Sequence, residues 1–347
     1  MEEKKLIALS WGGTWGHIFP LISLYNYLKE TKKYDFIWFW EEGNLEEEIA
    51  NKYKIPFYDI SAWKIRRYFD LRNFYEPLKN LSWIAEGIYY LKKLWVDIVF
   101  SKWWYVSLPV AIAAKLTWKK LFIHESDTVS WLSNKLVSNL ADKVFYTFPN
   151  EKIDSKKYIL SWQILNPELI DYLEDTNVVN WDKLNVIVIW GSQGSTNIFN
   201  ALLKALPSLD FVHFHIILWE KNMHLRWDFK KFSNTTVHDF ITQKRLWKIL
   251  KDVDIAITRW GATTLWELYY FWVHSLIVPL KNSAWNHQMQ NALYFKENFW
   301  SEILEDDENL WEKIVEKLTK YKDLRKVWLN LQNFFKPLNI IKEEIEK

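Results

Sequence analysis

Short apolar runs alternate with longer amphipathic ones along this chain, and the alternation restarts half-way. A four- to six-residue apolar run suits a strand buried on both faces, and the amphipathic stretch after it suits the crossover helix of a parallel sheet. The pattern predicts strands near 6–10, 35–40, 97–101, 120–125, 143–148 and 157–161, with helices starting near His17, Leu45, Glu76, Ser107 and Trp131. It begins again with strands near 185–190, 212–218, 235–240, 254–258 and 274–280, and after Glu302 it reads as helix to the end. Asn166-Pro167 and the polar run Glu174 to Asp182 separate the two series and predict a hinge or linker. The fold class expected is α/β, two doubly wound Rossmann-like domains. Ligands in such folds bind at the carboxyl ends of the strands, so two facing domains would make a cleft.

Composition changes this picture at one point. The 347 residues include 24 Trp against 8 Gly, whereas an ordinary globular chain is about 7% Gly. Trp also falls where bare backbone is needed. Trp11 and Trp15 flank Gly12-Gly13-Thr14 after the first strand, and Trp190 opens Gly191-Ser192-Gln193-Gly194 after the first strand of the second series. Trp162, Trp219, Trp260, Trp272, Trp285 and Trp300 fall at strand ends, helix ends or tight turns, where φ > 0 is common. The expectation is that many of these are glycines in the cell. A bacterium that decodes UGA as glycine, read with a table that decodes it as Trp, gives this pattern. Trp38, inside an apolar strand, is expected to be genuine.

Charge and cysteine exclude several classes. A formal net charge of +2 gives no whole-molecule case for a nucleic-acid partner. No cysteine means no disulfide, thiol nucleophile or zinc–thiolate site, which fits a reducing cytoplasm. Met1 to Lys5 lacks the apolar core of a signal peptide, and no run approaches the roughly 18 uncharged apolar residues of a spanning helix. A soluble or peripheral protein is expected.

The chemistry concentrates after strands. Both glycine-type loops follow a strand and open a helix, whose free N–H groups and dipole suit a phosphate or sugar. His17, at the start of the first helix, is a candidate general base, with an unperturbed pKa near 6.5. Glu125, at the end of a strand, is a second candidate that would orient an acceptor or share the proton transfer. Gly191, Ser192 and Gln193 would hold a leaving diphosphate, and Arg259 would add charge. The turn leading into Ala262, Thr263 and Thr264 opens another helix and would cradle a pyrophosphate or sugar. Asp252 and Asp254 have the spacing of a metal-binding pair but read as a turn, so no metal and no cofactor is expected.

Residues in the same order through most of the chain carry a family resemblance. They are Gly12 to Pro20, Trp103-Trp104-Tyr105-Val106-Ser107, His124-Glu125-Ser126-Asp127 and Leu132-Ser133-Asn134-Lys135 in the first half. Trp190 to Gly194, Arg259-Trp260-Gly261-Ala262, Glu267 and Asn286-His287-Gln288 through Asn291-Ala292 follow in the second. With the suspect tryptophans read as glycine, the set resembles the family 28 glycosyltransferases of peptidoglycan synthesis. The resemblance implies a GT-B fold, with domains at 1–163 for acceptor and membrane and at 164–325 for UDP-GlcNAc. It also implies a helical segment at 326–347 packing back toward the first domain. The reaction implied is an inverting, metal-independent transfer of GlcNAc from UDP-GlcNAc to the 4-hydroxyl of the muramoyl sugar of lipid I. By the same resemblance, substrate would touch Thr14, Trp15, Gly16, Asp127 and Asn134 in the first half. The backbone at Ile241 would read uracil, Glu267 would take the ribose hydroxyls, Gln288 would reach the donor sugar, and Asn291 would lie beside them. One departure stands out: the family has Gly-Asn-Pro-x-Arg where this chain has Trp162-Gln163-Ile164-Leu165-Asn166, without the arginine.

From Trp63 to Lys93, Lys64, Arg66, Arg67, Arg72, Lys79, Lys92 and Lys93 interleave with Tyr68, Phe69, Phe74, Tyr75, Tyr89 and Tyr90. Basic heads among aromatic rings suit an anionic membrane surface, here the cytoplasmic face. Two other functions are compatible with the same residues. One is a related GT-B transferase with a different lipid or polymer acceptor. The other is a non-catalytic sugar-nucleotide-binding protein of cell-wall assembly.

Overall fold

A computed structural model describes residues 4–11, 15–40, 50–51, 53–60, 76–102, 107–126, 137–149, 155–173, 182–189, 196–239, 241–259, 261–279, 287–325 and 333–347. The chain divides into two compact units, Met1–Pro167 with Phe335–Lys347, and Glu168–Phe334.

The first unit is built on a seven-stranded, wholly parallel sheet. Its strands are β1 (Lys5–Trp11), β2 (Tyr34–Trp40), β3 (Phe57–Asp59), β4 (Ile98–Lys102), β5 (Lys120–Glu125), β6 (Lys143–Tyr146) and β7 (Tyr158–Leu160). Their order is β3-β2-β1-β4-β5-β6-β7. Helices α1 (Trp15–Lys29), α2 (Glu76–Lys93) and α3 (Ser107–Leu116) cross between strands. Alternate residues of each strand feed two cores. Ile98, Phe100 and Phe122 pack with Ile18, Leu21 and Leu28 of α1 on one face, and Val99, Leu121 and Ile123 pack with Val110, Ala113 and Ala114 of α3 on the other. Burial on both faces is why these strands read as unbroken apolar runs.

The second unit repeats the design with β8 (Leu184–Ile189), β9 (Val212–Ile217), β10 (Thr235–His238), β11 (Ile255–Thr258), β12 (His274–Ile277) and β13 (Ser301–Ile303), in the order β10-β9-β8-β11-β12-β13. These strands are parallel as well. Its longer helices are α4 (Thr196–Ala205), α5 (Gln243–Leu250), α6 (Ala262–Tyr270), α7 (His287–Asn298) and α8 (Leu310–Lys320). In both sheets the order reverses beside the first strand, at β1/β4 and at β8/β11. Such a switch point opens a crevice at the carboxyl strand ends.

A last helix, α9 (Lys336–Glu346), joins the first unit across more than three hundred residues of sequence. Leu338, Ile341 and Ile345 complete the core on the α1 face, Lys5 Nζ donates to the Ile345 carbonyl at 3.3 Å, and Lys143 pairs with Glu344 at 2.7 Å.

Three helices end in the same way. Beyond α2, Trp95 has φ 56° and its N–H bonds the Lys92 carbonyl, while Val96 N–H bonds that of Leu91. Trp118 (φ 57°) and Lys119 repeat this beyond α3, as do Trp272 (φ 54°) and Val273 beyond α6. This is the Schellman termination, whose left-handed residue is usually glycine.

Candidate active site

At the carboxyl edge of the first sheet, polar side chains replace the apolar ones. Lys102, His124, Glu125, Thr147 and Gln163 are all buried there. Lys102 and His124 continue the alternation of Phe100 and Phe122 and so fall on the α1 face. Thr147 Oγ1 donates to Gln163 Oε1 at 3.0 Å, and Thr147 N–H bonds the Glu125 carbonyl at 2.9 Å, which fixes the end of β5. Burial holds the His124 imidazole well below its usual pKa, and the Lys102 charge pushes the same way. The ring is therefore neutral, and Nε2, 3.2 Å from the Trp162 carbonyl, carries the proton. Glu125 thus ends a strand next to a histidine of fixed tautomer. His17 lies in the first turn of α1. The side chains of Trp15, Gly16 and His17 lie outside the described residues, as do Thr14, Asp127 and Asn134 altogether.

In the second unit, β11 delivers Arg259 directly beyond the switch point. It is drawn into a largely buried ion pair with Asp306, Nη2 to Oδ2 3.2 Å, with side-chain exposures of 11% and 8%. Gly261 adopts extended backbone (φ −60°, ψ 124°) as the N-cap of α6, so Ala262, Thr263 and Thr264 form the helix's first turn. One turn on, Glu267 is buried, and its Oε1 accepts Gln243 Nε2 at 2.8 Å and Trp247 Nε1 at 3.1 Å, both from α5. Burial pushes this carboxyl up to about 7, against the pull of those two hydrogen bonds. Ile241 precedes α5, whose N-cap Thr242 accepts the Arg245 N–H. Asn291 is fully buried on α7, while the side chain of Gln288, in the first turn of that helix, lies outside the described residues. So do Gly191, Ser192 and Gln193.

Of the expected groups whose side chains are described, Glu125 falls in the first unit, and Ile241, Arg259, Ala262, Thr263, Thr264, Glu267 and Asn291 fall in the second. Asp254, whose Oδ2 takes the Asn185 N–H at 2.9 Å, is a structural residue of the sheet. Among the described residues no three His, Asp or Glu side chains are grouped to hold a metal ion. A cavity of about 530 Å³ lined by Tyr269, Trp272, Phe299 and Trp300 opens at the amino ends of β12 and β13, the opposite end of the second sheet from Arg259. Lys102, Gln243, Trp247 and Asp306 were missed by sequence reasoning. Lys102 had a visible signal, a charge closing an otherwise apolar strand. The other three are defined by contacts made 20 or more residues away.

Two Rossmann-like units, each on a parallel sheet with polar groups at its carboxyl edge, give the GT-B fold, and the family matches give the class, a glycosyltransferase. Residues 7–146 match the glycosyltransferase family 28 N-terminal domain, and residues 185–330 match the family 28 C-terminal domain. The chain belongs to glycosyltransferase family 28. It is 32% identical to the UDP-N-acetylglucosamine--N-acetylmuramyl-(pentapeptide) pyrophosphoryl-undecaprenol N-acetylglucosamine transferase of Clostridium tetani (strain Massachusetts / E88), over 95% of this chain and 94% of that one. It is 31% identical to the enzyme of the same name from Clostridium botulinum (strain 657 / Type Ba4), over 99% and 98%. In fold it is similar to the crystal structure of Acinetobacter baumannii MurG, with TM-score 0.76 and 22% identity over 98% and 99% of the two chains.

Proposed function

We infer that this chain transfers GlcNAc from UDP-GlcNAc to the muramoyl 4-hydroxyl of lipid I, giving lipid II. The observation that carries this is end-to-end similarity, above 30% identity, to transferases named for that reaction. In the mechanism we propose, His17 or Glu125 takes the proton of the attacking hydroxyl as it reaches the anomeric carbon with inversion. Thr14, Trp15, Gly16, Asp127 and Asn134 contact substrate from the first unit. The departing UDP is stabilised by Gly191, Ser192 and Gln193 ahead of α4, by the first turn of α6, and by Arg259. Removing one such donor typically costs about 2.7–4 kcal/mol of transition-state stabilisation. Glu267 takes the ribose hydroxyls, Ile241 the uracil, and Gln288 and Asn291 the donor sugar. Because its acceptor is lipid-linked, the enzyme works at the cytoplasmic membrane surface, held there by basic and aromatic residues of 63–93. No described helix is long and apolar enough to cross a membrane.

The test is transfer of labelled GlcNAc to a soluble lipid I analogue with EDTA present. A β-linked product is expected. Tight UDP-GlcNAc binding without product would redirect the reading to another acceptor.

We also propose that many of the tryptophans are glycines in the living cell. Support comes from the backbone: among the described residues, four of the seven non-glycine positions in the left-handed region are Trp95, Trp118, Trp162 and Trp272. An indole there carries roughly 1–2 kcal/mol of steric penalty that glycine avoids. Trp38 is fully buried in the core on the α1 face, as a genuine tryptophan should be. Codons reading UGG at 11, 15, 190 and 260 would sink the proposal.

A further inference from the structure

Glu267 reaches its position in a way that its own helix does not explain. Among the described residues, the hydrogen bonds to its side chain come from α5, where Gln243 and Trp247 stand one turn apart and converge on a single oxygen, Oε1. Among the described residues Oε2 accepts none. A carboxylate that binds the two hydroxyls of a ribose needs an oriented plane and lone pairs left open to the ligand. Two neutral donors on the far oxygen supply both. The alternative, a plain tie between helices, would be served as well by bonds to either oxygen.

We propose that Gln243 and Trp247 are positioning residues of the donor site, aiming Glu267 Oε2 at the ribose diol of a uridine diphosphate sugar. This rests on the reading of Glu267 as the ribose ligand. The device makes α5 part of nucleotide recognition, since Ile241 and Thr242 lead directly into that helix. The indole of Trp247 is fixed in turn, and we read it, like Trp38, as a genuine tryptophan: it is fully buried, its backbone is helical rather than left-handed, and it meets the Tyr172 ring edge-on at 5.4 Å. The other charges on α5 are the cations Lys244, Arg245 and Lys248, none of which acts on Glu267. Lys244 pairs with Glu168 at 2.8 Å, and Arg245 acts on His238 of β10, with Asp239 opposing it. Glu267 ionisation is accordingly set by burial and by the two α5 bonds.

The experiment uses the full chain and three variants, Gln243→Met, Trp247→Phe and Glu267→Gln, each checked for folding by circular dichroism. Two quantities are measured: affinity for UDP-GlcNAc as a function of pH, and the preference for UDP over 2′-deoxy-UDP. UDP-GlcNAc carries no phosphate that titrates near neutral pH, so the profile reports the protein. Wild-type affinity is expected to rise with pH through about 7, as Glu267 ionises. In Gln243→Met and Trp247→Phe the midpoint is expected to move up by about one pH unit. The ribose preference should fall about tenfold, as for losing a hydrogen bond to a charged group. A purely structural tie would lower thermal stability and leave both readouts alone, and that result overturns the proposal. If Glu267→Gln binds UDP-GlcNAc with wild-type affinity and ribose preference, the ribose reading fails first and the positioning role with it.

Discussion

Glu267 is held in a form that costs the folded protein stability at the pH where it would act. Its carboxyl titrates at about 7 in the fold, whereas an unfolded glutamate titrates near 4.3. The fold therefore favours the protonated form. That preference is fully present below the unfolded pKa and is lost as pH rises through about 7. Above that, ionising the buried group costs about 4 kcal/mol. Glu267→Gln keeps an oxygen for Gln243 and Trp247 but cannot ionise. We expect it to match the wild type in chemical denaturation near pH 4.5 and to exceed it at pH 8 by up to that amount, while binding UDP-GlcNAc worse. A stability difference independent of pH would show that the carboxyl is not buried as described. The sequence placed this acid beside Leu265 and Leu268, hence near a buried face. Its partners were out of reach, because Gln243 and Trp247 sit on a separate helix with nothing in the local pattern to mark them. Arg259 teaches the same lesson. A cation after a strand was legible, but its buried partner Asp306 is 47 residues on.

At the scale of elements, the strands that were legible are those buried on both faces, such as β4 and β8, where every residue is covered. Of the three edge strands of three residues, β7 was legible and β3 and β13 escaped. β7 is apolar throughout, Tyr158-Ile159-Leu160, whereas β3 carries Asp59 and β13 carries Glu302, which break so short an apolar run. Ser301–Ile303 is therefore a strand where helix was expected to follow Glu302. Of the tryptophans singled out in the sequence for φ > 0, Trp162 and Trp272 are left-handed, whereas Trp219 is extended (φ −95°), Trp300 is not left-handed, and Trp260 and Trp285 lie outside the described residues. Trp95 and Trp118 occupy positions equivalent to that of Trp272 with 81% and 94% of their surface exposed, so little packing opposes their removal. We expect Trp95→Gly, Trp118→Gly and Trp272→Gly each to stabilise the protein by about 1 kcal/mol, relief of left-handed strain outweighing the glycine's entropy. Urea denaturation of the triple variant checks this. A midpoint at or below that of the parent would mean that the indoles earn their positions.

At the scale of the whole molecule, the two units have separate cores, and the residues proposed for donor and acceptor are divided between them. Unfolding should then be two transitions rather than one, and each can be moved alone. Ile341 comes from the end of the chain yet is fully buried in the first unit, between Leu338 and Ile345 of α9. Ile341→Ala leaves a cavity beside α1 and should cost the first unit about 2–5 kcal/mol. In the proposed mechanism UDP binds the second unit, since Ile241, Glu267 and the first turn of α6 all belong to it. At one hundred times its dissociation constant UDP should stabilise that unit by about 2.7 kcal/mol. Calorimetry of wild type and variant, with and without UDP, gives four traces. We expect one transition to fall with Ile341→Ala at either UDP level and the other to rise with UDP in either protein. If UDP raised both transitions in the wild type, or if the substitution weakened UDP binding as well as the first unit, the units would be energetically coupled. Donor binding would then be felt where the acceptor hydroxyl loses its proton.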